Sequence, residues 1–229
     1  EDICDYELYT SEFDRGCLLG PQKEFISSKH LDNLGLVYTS ILALQAQKET
    51  QATPIICCVD NEEIGNRTQQ GADSPMLATV MERITIALGK SREEYFRSLK
   101  QSFMVSADMS HSVHPNVPER SDPVVHVALN KGPVIKVSGA QKFTTDSVSS
   151  AVFKMVCEKA GVSWQYYVNK SDSPGGTAAG TASVTHVDMR SVDMGLALLA
   201  MHSIREMGGT EDIDYALRAF TEFLRLSHA

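Results

Sequence analysis

PIICCVDNEEIG, residues 54–65, joins an apolar run to an acidic turn. Pro54 to Asp60 is a short apolar run between polar residues, the pattern of a strand covered on both faces. The acidic turn after it carries the neighbouring carboxylates Glu62 and Glu63. In an extended segment adjacent side chains point to opposite sides. One glutamate can then bind a metal while the other faces a water beside it, so neighbouring residues supply a ligand and a general base. The same pair also fits a solvated acidic turn, because carboxylates are mostly exposed.

Outward from this stretch, strand and helix patterns alternate. Strand-like text is expected at residues 3–13, at Phe103–Asp108, as a hairpin-like pair over Pro123–Val137 around Asn130–Gly132, at Ser163–Val168 and at His186–Met189. Helices are expected over Leu34–Gln47, Ser74–Leu88, the stretch capped by Ser91, Thr145–Ala160 with Gly161 as its stop, and Asp212–Leu226. Ser171–Ser183 reads as a loop rich in Gly, Ser and Thr. The alternation makes the class α/β with a central, largely buried sheet.

The 229 residues suit one good-sized domain, and an apolar share of 42% is enough to bury a substantial core. The net charge of -8 argues against nucleic acid or an anionic membrane as the main partner, since both select basic surfaces. No apolar run approaches the roughly 18 residues of a membrane span, and EDICDYELYT, residues 1–10, lacks the layout of a signal peptide. The five cysteines, Cys4, Cys17, Cys57, Cys58 and Cys157, form no CxxC pair, and Cys57–Cys58 are expected to be buried as small hydrophobes. These features point to a reducing, cytoplasmic setting. The chain opens without a methionine, which fits a processed protein or one part of a longer polypeptide.

Three further stretches hold candidate metal ligands. Asp32, between apolar residues in LDNL (31–34), fits a helix N-cap or a carboxylate bridging two cations. Asp108, His111 and His114 in DMSHSVHP form a candidate cluster, in which the histidines serve as ligands or as partners of ligands. His202 stands in apolar text, where a histidine is either a satisfied core residue or a ligand. SDSPGGTAAGT (171–181) could let backbone approach a substrate but lacks a phosphate-loop pattern, and no GxSxG elbow supports a serine nucleophile.

Taken in order, LDNL, DNEEIGNRTQQGADSPML, DMSHSVHPN, KGPVIKV, SDSPGG and MHSIREMGG resemble the aspartyl aminopeptidase family of zinc peptidases, from about Phe25 to the C-terminus. The resemblance implies a phosphorylase/hydrolase-like α/β domain, a three-layer sandwich about a mixed, mostly parallel sheet. It also implies two zinc ions, with cobalt or manganese as possible substitutes, and removal of N-terminal residues, preferentially Asp or Glu, from peptides. Matched by motif, Asp32 would bridge the metals, Glu63 and His202 would complete one site, and Asp108 would bind the other ion. Glu62 would be the general base, and Lys136 would meet the acidic side chain of the substrate. His111 and His114 match positions that are not usual ligands.

Two departures stand out. The family's further histidine ligand comes from an N-terminal segment that is not within these 229 residues, and neither is its inserted oligomerisation domain. The family's tyrosine seven residues after the VIKV lysine is Phe143 here. The expectation is therefore the C-terminal catalytic region, residues 1–229, of a homo-oligomeric zinc aminopeptidase. The alternatives are a catalytically incomplete fragment, a non-catalytic assembly module of that family, or a related dizinc amidohydrolase acting on acyl-amino acids.

Overall fold

The structure, a computed structural model, describes residues 2–226 apart from 174 and 177. In chain order the elements are β1 (Cys17–Leu19), β2 (Phe25–Ser28), α1 (Leu31–Gln45), α2 (Met76–Ala87), α3 (Arg92–Gln101), β3 (Phe103–Ala107), β4 (Ser110–His111), β5 (Val134–Val137), α4 (Ser147–Ala160), β6 (Gln165–Val168), α5 (Ala179–Ser183), β7 (Arg190–Gly195), β8 (Ala197–Leu199), β9 (Glu206–Gly209) and α6 (Thr210–Phe223). Short 3₁₀ turns lie at Glu62–Ile64 and Pro118–Arg120.

The strands form two groups, ordered β3-β7-β5-β6 and β1-β2-β9-β8-β4. In the first, β3 runs parallel to β7 and β5 parallel to β6, while β5 and β7 are antiparallel. In the second, β4 is parallel to β8 and the other pairs are antiparallel. The groups are stitched together where β3 runs on into β4 and β7 into β8. Asp108 N donates to Met194 O at 3.0 Å, and Ser110 N and Ser112 N donate to Leu196 O and Leu198 O at 2.9 Å. Gly195 makes this close approach possible, because a Cβ there would lie 2.2 Å from the Asp108 carbonyl oxygen.

Alternation along β7 assigns the two faces of the sheet. Val192 and Met194 join a buried core with Leu36 of α1, Phe153 and Val156 of α4, and Ala216 and Phe220 of α6. Asp193 points the other way, toward α5, where a Cβ on Gly180 would meet the side chains of Ser106 and Asp193. Helices therefore cover both faces of a mixed sheet, the α/β sandwich expected. The helix ends follow local rules. Ser91 and Glu94 form a capping box at α3, Asp146 accepts from Ser149 N at α4, and Gly161, at φ 65°, stops α4.

Five local expectations fail. Residues 3–13 form no strand, and Ile3, Tyr6, Leu8, Tyr9 and Phe13 stand exposed, Phe13 fully. Residues 54–59 form no strand either, because a strand exists only through a ladder and no described strand pairs with this segment. Cys57 and Cys58 are exposed rather than buried. The hairpin over Pro123–Val137 is half present. β5 forms, but at Ala128 the backbone is held by the Gln165 side chain, whose Oε1 accepts from Ala128 N at 2.9 Å and whose Nε2 donates to Ala128 O at 3.0 Å. The strand expected at His186–Met189 begins instead at Arg190. Pro174 and Thr177, within the expected Ser171–Ser183 loop, lie outside the described residues, and the end of that loop turns into α5.

Candidate metal centre

Three separate segments bring donors to one point. Asp32 sits in the first turn of α1 with non-helical torsions, φ −83° and ψ 109°. Glu63 lies in the 3₁₀ turn flanked by left-handed Asn61 and Gly65. His202 lies between β8 and β9 at φ 67°. His202 Nε2 is 3.1 Å from Asp32 Oδ2 and 3.0 Å from Glu63 Oε2. One ligand atom from each residue lies within 4.8 Å of the others.

The electrostatics of this cluster suit a bound cation. The Asp32 side chain is 3% exposed, and its Oδ1 is buried with no hydrogen-bond partner. Burial foremost, then the carboxylates of Asp108, Glu63 and Glu206, push its pKa up to about 7, and His202 pulls it back in part. A single imidazole nitrogen carries at most one proton, so His202 Nε2 can donate to only one of its two carboxylates at a time. A divalent cation satisfies all three converging donors together. One imidazole nitrogen with carboxylate oxygens is a donor set that zinc accepts.

The other expected residues adjoin the group without joining it. Glu62, half-buried beside Glu63, has its pKa raised to about 6, first by burial and then by Asp108 and Glu63, against Lys136 and His202. Asp108 is committed elsewhere. Its Oδ1 accepts from Asn33 Nδ2 at 2.7 Å and its Oδ2 from Lys136 Nζ at 2.8 Å. Lys136, 4% exposed in β5, therefore already has a counter-ion, and its ammonium lies 5.7 Å from the centre of the Phe143 ring. Phe143 in turn packs edge-on against Tyr167 at 6.4 Å. Burial first, and then Lys136 and His202, hold the His111 imidazole below the ordinary value, against Asp108. His114 accepts from Asn116 N within its own turn. The Gly-rich loop is tied down where Lys142 Nζ donates to Gly175 O and Gly180 N donates to Ser106 Oγ.

Sequence reading passed over two residues that hold the site. Asn33 joins α1 to the turn after β3, donating to Asp108 and accepting from Met109 N at 2.9 Å. Glu206 accepts from the backbone of both Asp32 and His202. The signal for each was adjacency, since each belongs to a motif stretch quoted for its ligand.

The profile of the family described as Aminopeptidase I zinc metalloprotease (M18) matches residues 1–224. The chain belongs to this family. Among M18 relatives, a probable M18 family aminopeptidase 2 from Clostridium acetobutylicum is 48% identical over 226 residues, 99% of this chain and 52% of that protein. Aspartyl aminopeptidase 1 of Schizosaccharomyces pombe is 38% identical over 229 residues, covering 97% of this chain and 48% of the relative. The chain thus spans about half the length of the curated M18 relatives it matches. Among solved structures, the cryo-EM structure of the Ape4 and Nbr1 complex superposes with a TM-score of 0.88 at 37% identity, over 94% of this chain and 42% of that one.

Proposed function

We propose that these residues form the C-terminal, metal-binding part of a zinc aminopeptidase that removes N-terminal Asp or Glu from peptides. The observation that carries the reading is the convergence of Asp32, Glu63 and His202 on one point, with the buried Asp32 Oδ1 left without a partner. These three residues would hold the zinc. Zinc in such a site supplies Lewis acidity and makes water a usable nucleophile near neutral pH. Glu62, with its raised pKa, takes the proton from the attacking water at its carboxylate and returns it to the leaving amine. A second zinc would draw on Asp108 and on the free oxygen of Asp32, with a further ligand from polypeptide outside these residues. Cobalt or manganese could replace zinc in both places.

The acidic preference rests on Lys136, a buried ammonium beside the site, and on the name of the S. pombe relative. A homo-oligomer fits the exposed apolar side chains of Ile3, Tyr6, Leu8, Tyr9 and Phe13. Among the described residues no helix is long and apolar enough to cross a membrane. A cytoplasmic location fits the cysteine pattern and the acidic charge.

The test pairs zinc calorimetry on this chain with assay of the polypeptide that contains it. Zinc-dependent release of Asp or Glu from a peptide, lost in Glu62→Gln with metal binding retained, supports the reading. Absence of metal-dependent release from any N-terminal residue sinks it. The competing reading, a non-catalytic assembly module, draws on Asp108, whose two oxygens are already engaged by Asn33 and Lys136. It predicts a single metal site and no turnover.

A further inference from the structure

Glu206 opens β9, is 3% exposed, and is held in register opposite Ser28 of β2. Its two carboxylate oxygens are used separately. Oε2 accepts from Asp32 N at 3.0 Å and Oε1 accepts from His202 N at 2.8 Å. Neither amide has another natural acceptor. Asp32 lies in the first turn of α1, where backbone N–H groups have no intrahelical partner. His202 sits in left-handed backbone between two strands, outside any ladder. One buried side chain thus satisfies the backbone of two metal-donor residues that are 170 positions apart in the chain. Its neighbour Arg205 fixes the same corner from outside, donating to Glu12 Oε1 and to Ser27 O.

We propose that Glu206 is a positioning residue for the metal centre, setting the separation of Asp32 and His202 and through it the affinity for zinc. The inference rests on the metal reading above, and it adds a residue that never touches the ion. The physical argument is that of a two-point clamp. Three donors bind an ion more tightly when their spacing is fixed before it arrives, and a carboxylate that accepts at both oxygens fixes two of the three with strong hydrogen bonds. Glutamine in its place offers one acceptor and turns an NH₂ group toward the second N–H, donor against donor.

The test compares Glu206→Gln with Asp212→Asn. Asp212 is also a buried carboxylate that accepts from two backbone amides, Asn130 N at 2.6 Å and Gly132 N at 2.9 Å, but neither amide belongs to a metal-donor residue. Zinc affinity is read by chelator competition on the chelator-stripped chain, and site geometry by the visible spectrum of the cobalt-loaded chain. Glu206→Gln is expected to weaken zinc roughly 10- to 100-fold and to alter the cobalt bands. Asp212→Asn is expected to lower the thermal midpoint while leaving zinc affinity within about threefold of the parent, because its partners lie outside the donor set. A Glu206→Gln chain that binds zinc as tightly as the parent overturns the proposal, and so does an equal loss in Asp212→Asn. Amide hydrogen exchange on the metal-free parent gives a measurement independent of any variant. Protection of both Asp32 and His202 amides is expected, and free exchange of either overturns the clamp while leaving the metal reading standing. A parent chain that binds no zinc overturns both.

Discussion

Lys136 Nζ stands 2.8 Å from Asp108 Oδ2, with the lysine side chain 5% and the aspartate 18% exposed. Two charges this deep hold each other in place, since neither has enough water to stand alone. Removing one partner is therefore worse than removing both. Lys136→Met is expected to destabilise the chain by about 3–5 kcal/mol, and the double variant Lys136→Met with Asp108→Asn by less than the single. Urea unfolding of the four chains checks this. A strictly additive cycle would show that the pair does not interact.

The legibility of this protein in its sequence divides along a physical line. Helix ends were readable because their causes are local: Ser91 and Glu94 cap α3 by facing each other three residues apart, and Gly161 stops α4 with its own torsions. The candidate ligands were readable as residue types, and the structure brings one ligand atom each of Asp32, Glu63 and His202 within 4.8 Å of the others. What stayed hidden depends on partners distant in sequence. PIICCV has the composition of a buried strand but pairs with no strand among the described residues, whereas β7, RSVDMG, is nearly all buried although polar residues interrupt its apolar pattern. Asp193 belongs there because Thr144 N and Oγ1 donate to it at 2.6 and 2.9 Å, and nothing in the local text around Asp193 announces that. The clamp role of Glu206 was invisible for the same reason.

Asp212 gives the chain a pH dependence of predictable sign. Burial is the largest influence on it and raises its pKa to about 6, although the backbone amides of Gly132, Asn130 and Lys131 pull the other way. Because the folded value lies above the unfolded one, the folded state holds the proton more tightly. The associated stability is fully present below about pH 4, the ordinary range of an aspartate, and is lost as pH rises through about 6. The expected outcome is a decline in unfolding free energy between pH 4 and 7 that is shallower in Asp212→Asn. A parent and variant with parallel pH profiles would rule Asp212 out as the source.

Gly195 should tolerate no side chain. Its Cβ would meet backbone atoms alone, Asp108 O at 2.2 Å and Met109 C and Ser110 N at 3.0 Å. These atoms belong to the ladder that joins the two strand groups, so they cannot swing aside as a flexible side chain would. Gly195→Ala is expected to cost at least the roughly 1–3 kcal/mol of an overpacked core and to shift the turn carrying Asp108. Thermal unfolding measures the first effect. The second appears as perturbed amide shifts at Asn33 and Met109, which share a hydrogen bond across that turn.

Zinc should stabilise this chain by mass action, because the donors converge only when it is folded. At a free zinc concentration about 100 times the dissociation constant the gain is roughly 2.7 kcal/mol, and a chelator should reverse it. His202→Ala separates this effect from ordinary packing. The His202 side chain is 58% exposed, so its loss should change the metal-free midpoint little. It nevertheless removes the nitrogen that lies within 3.0–3.1 Å of both carboxylates. The expected result in scanning calorimetry is a metal-free transition close to that of the parent and a zinc-dependent shift largely abolished. If His202→Ala kept the full shift, the zinc would be bound elsewhere and the Asp32, Glu63 and His202 group would lose its assignment.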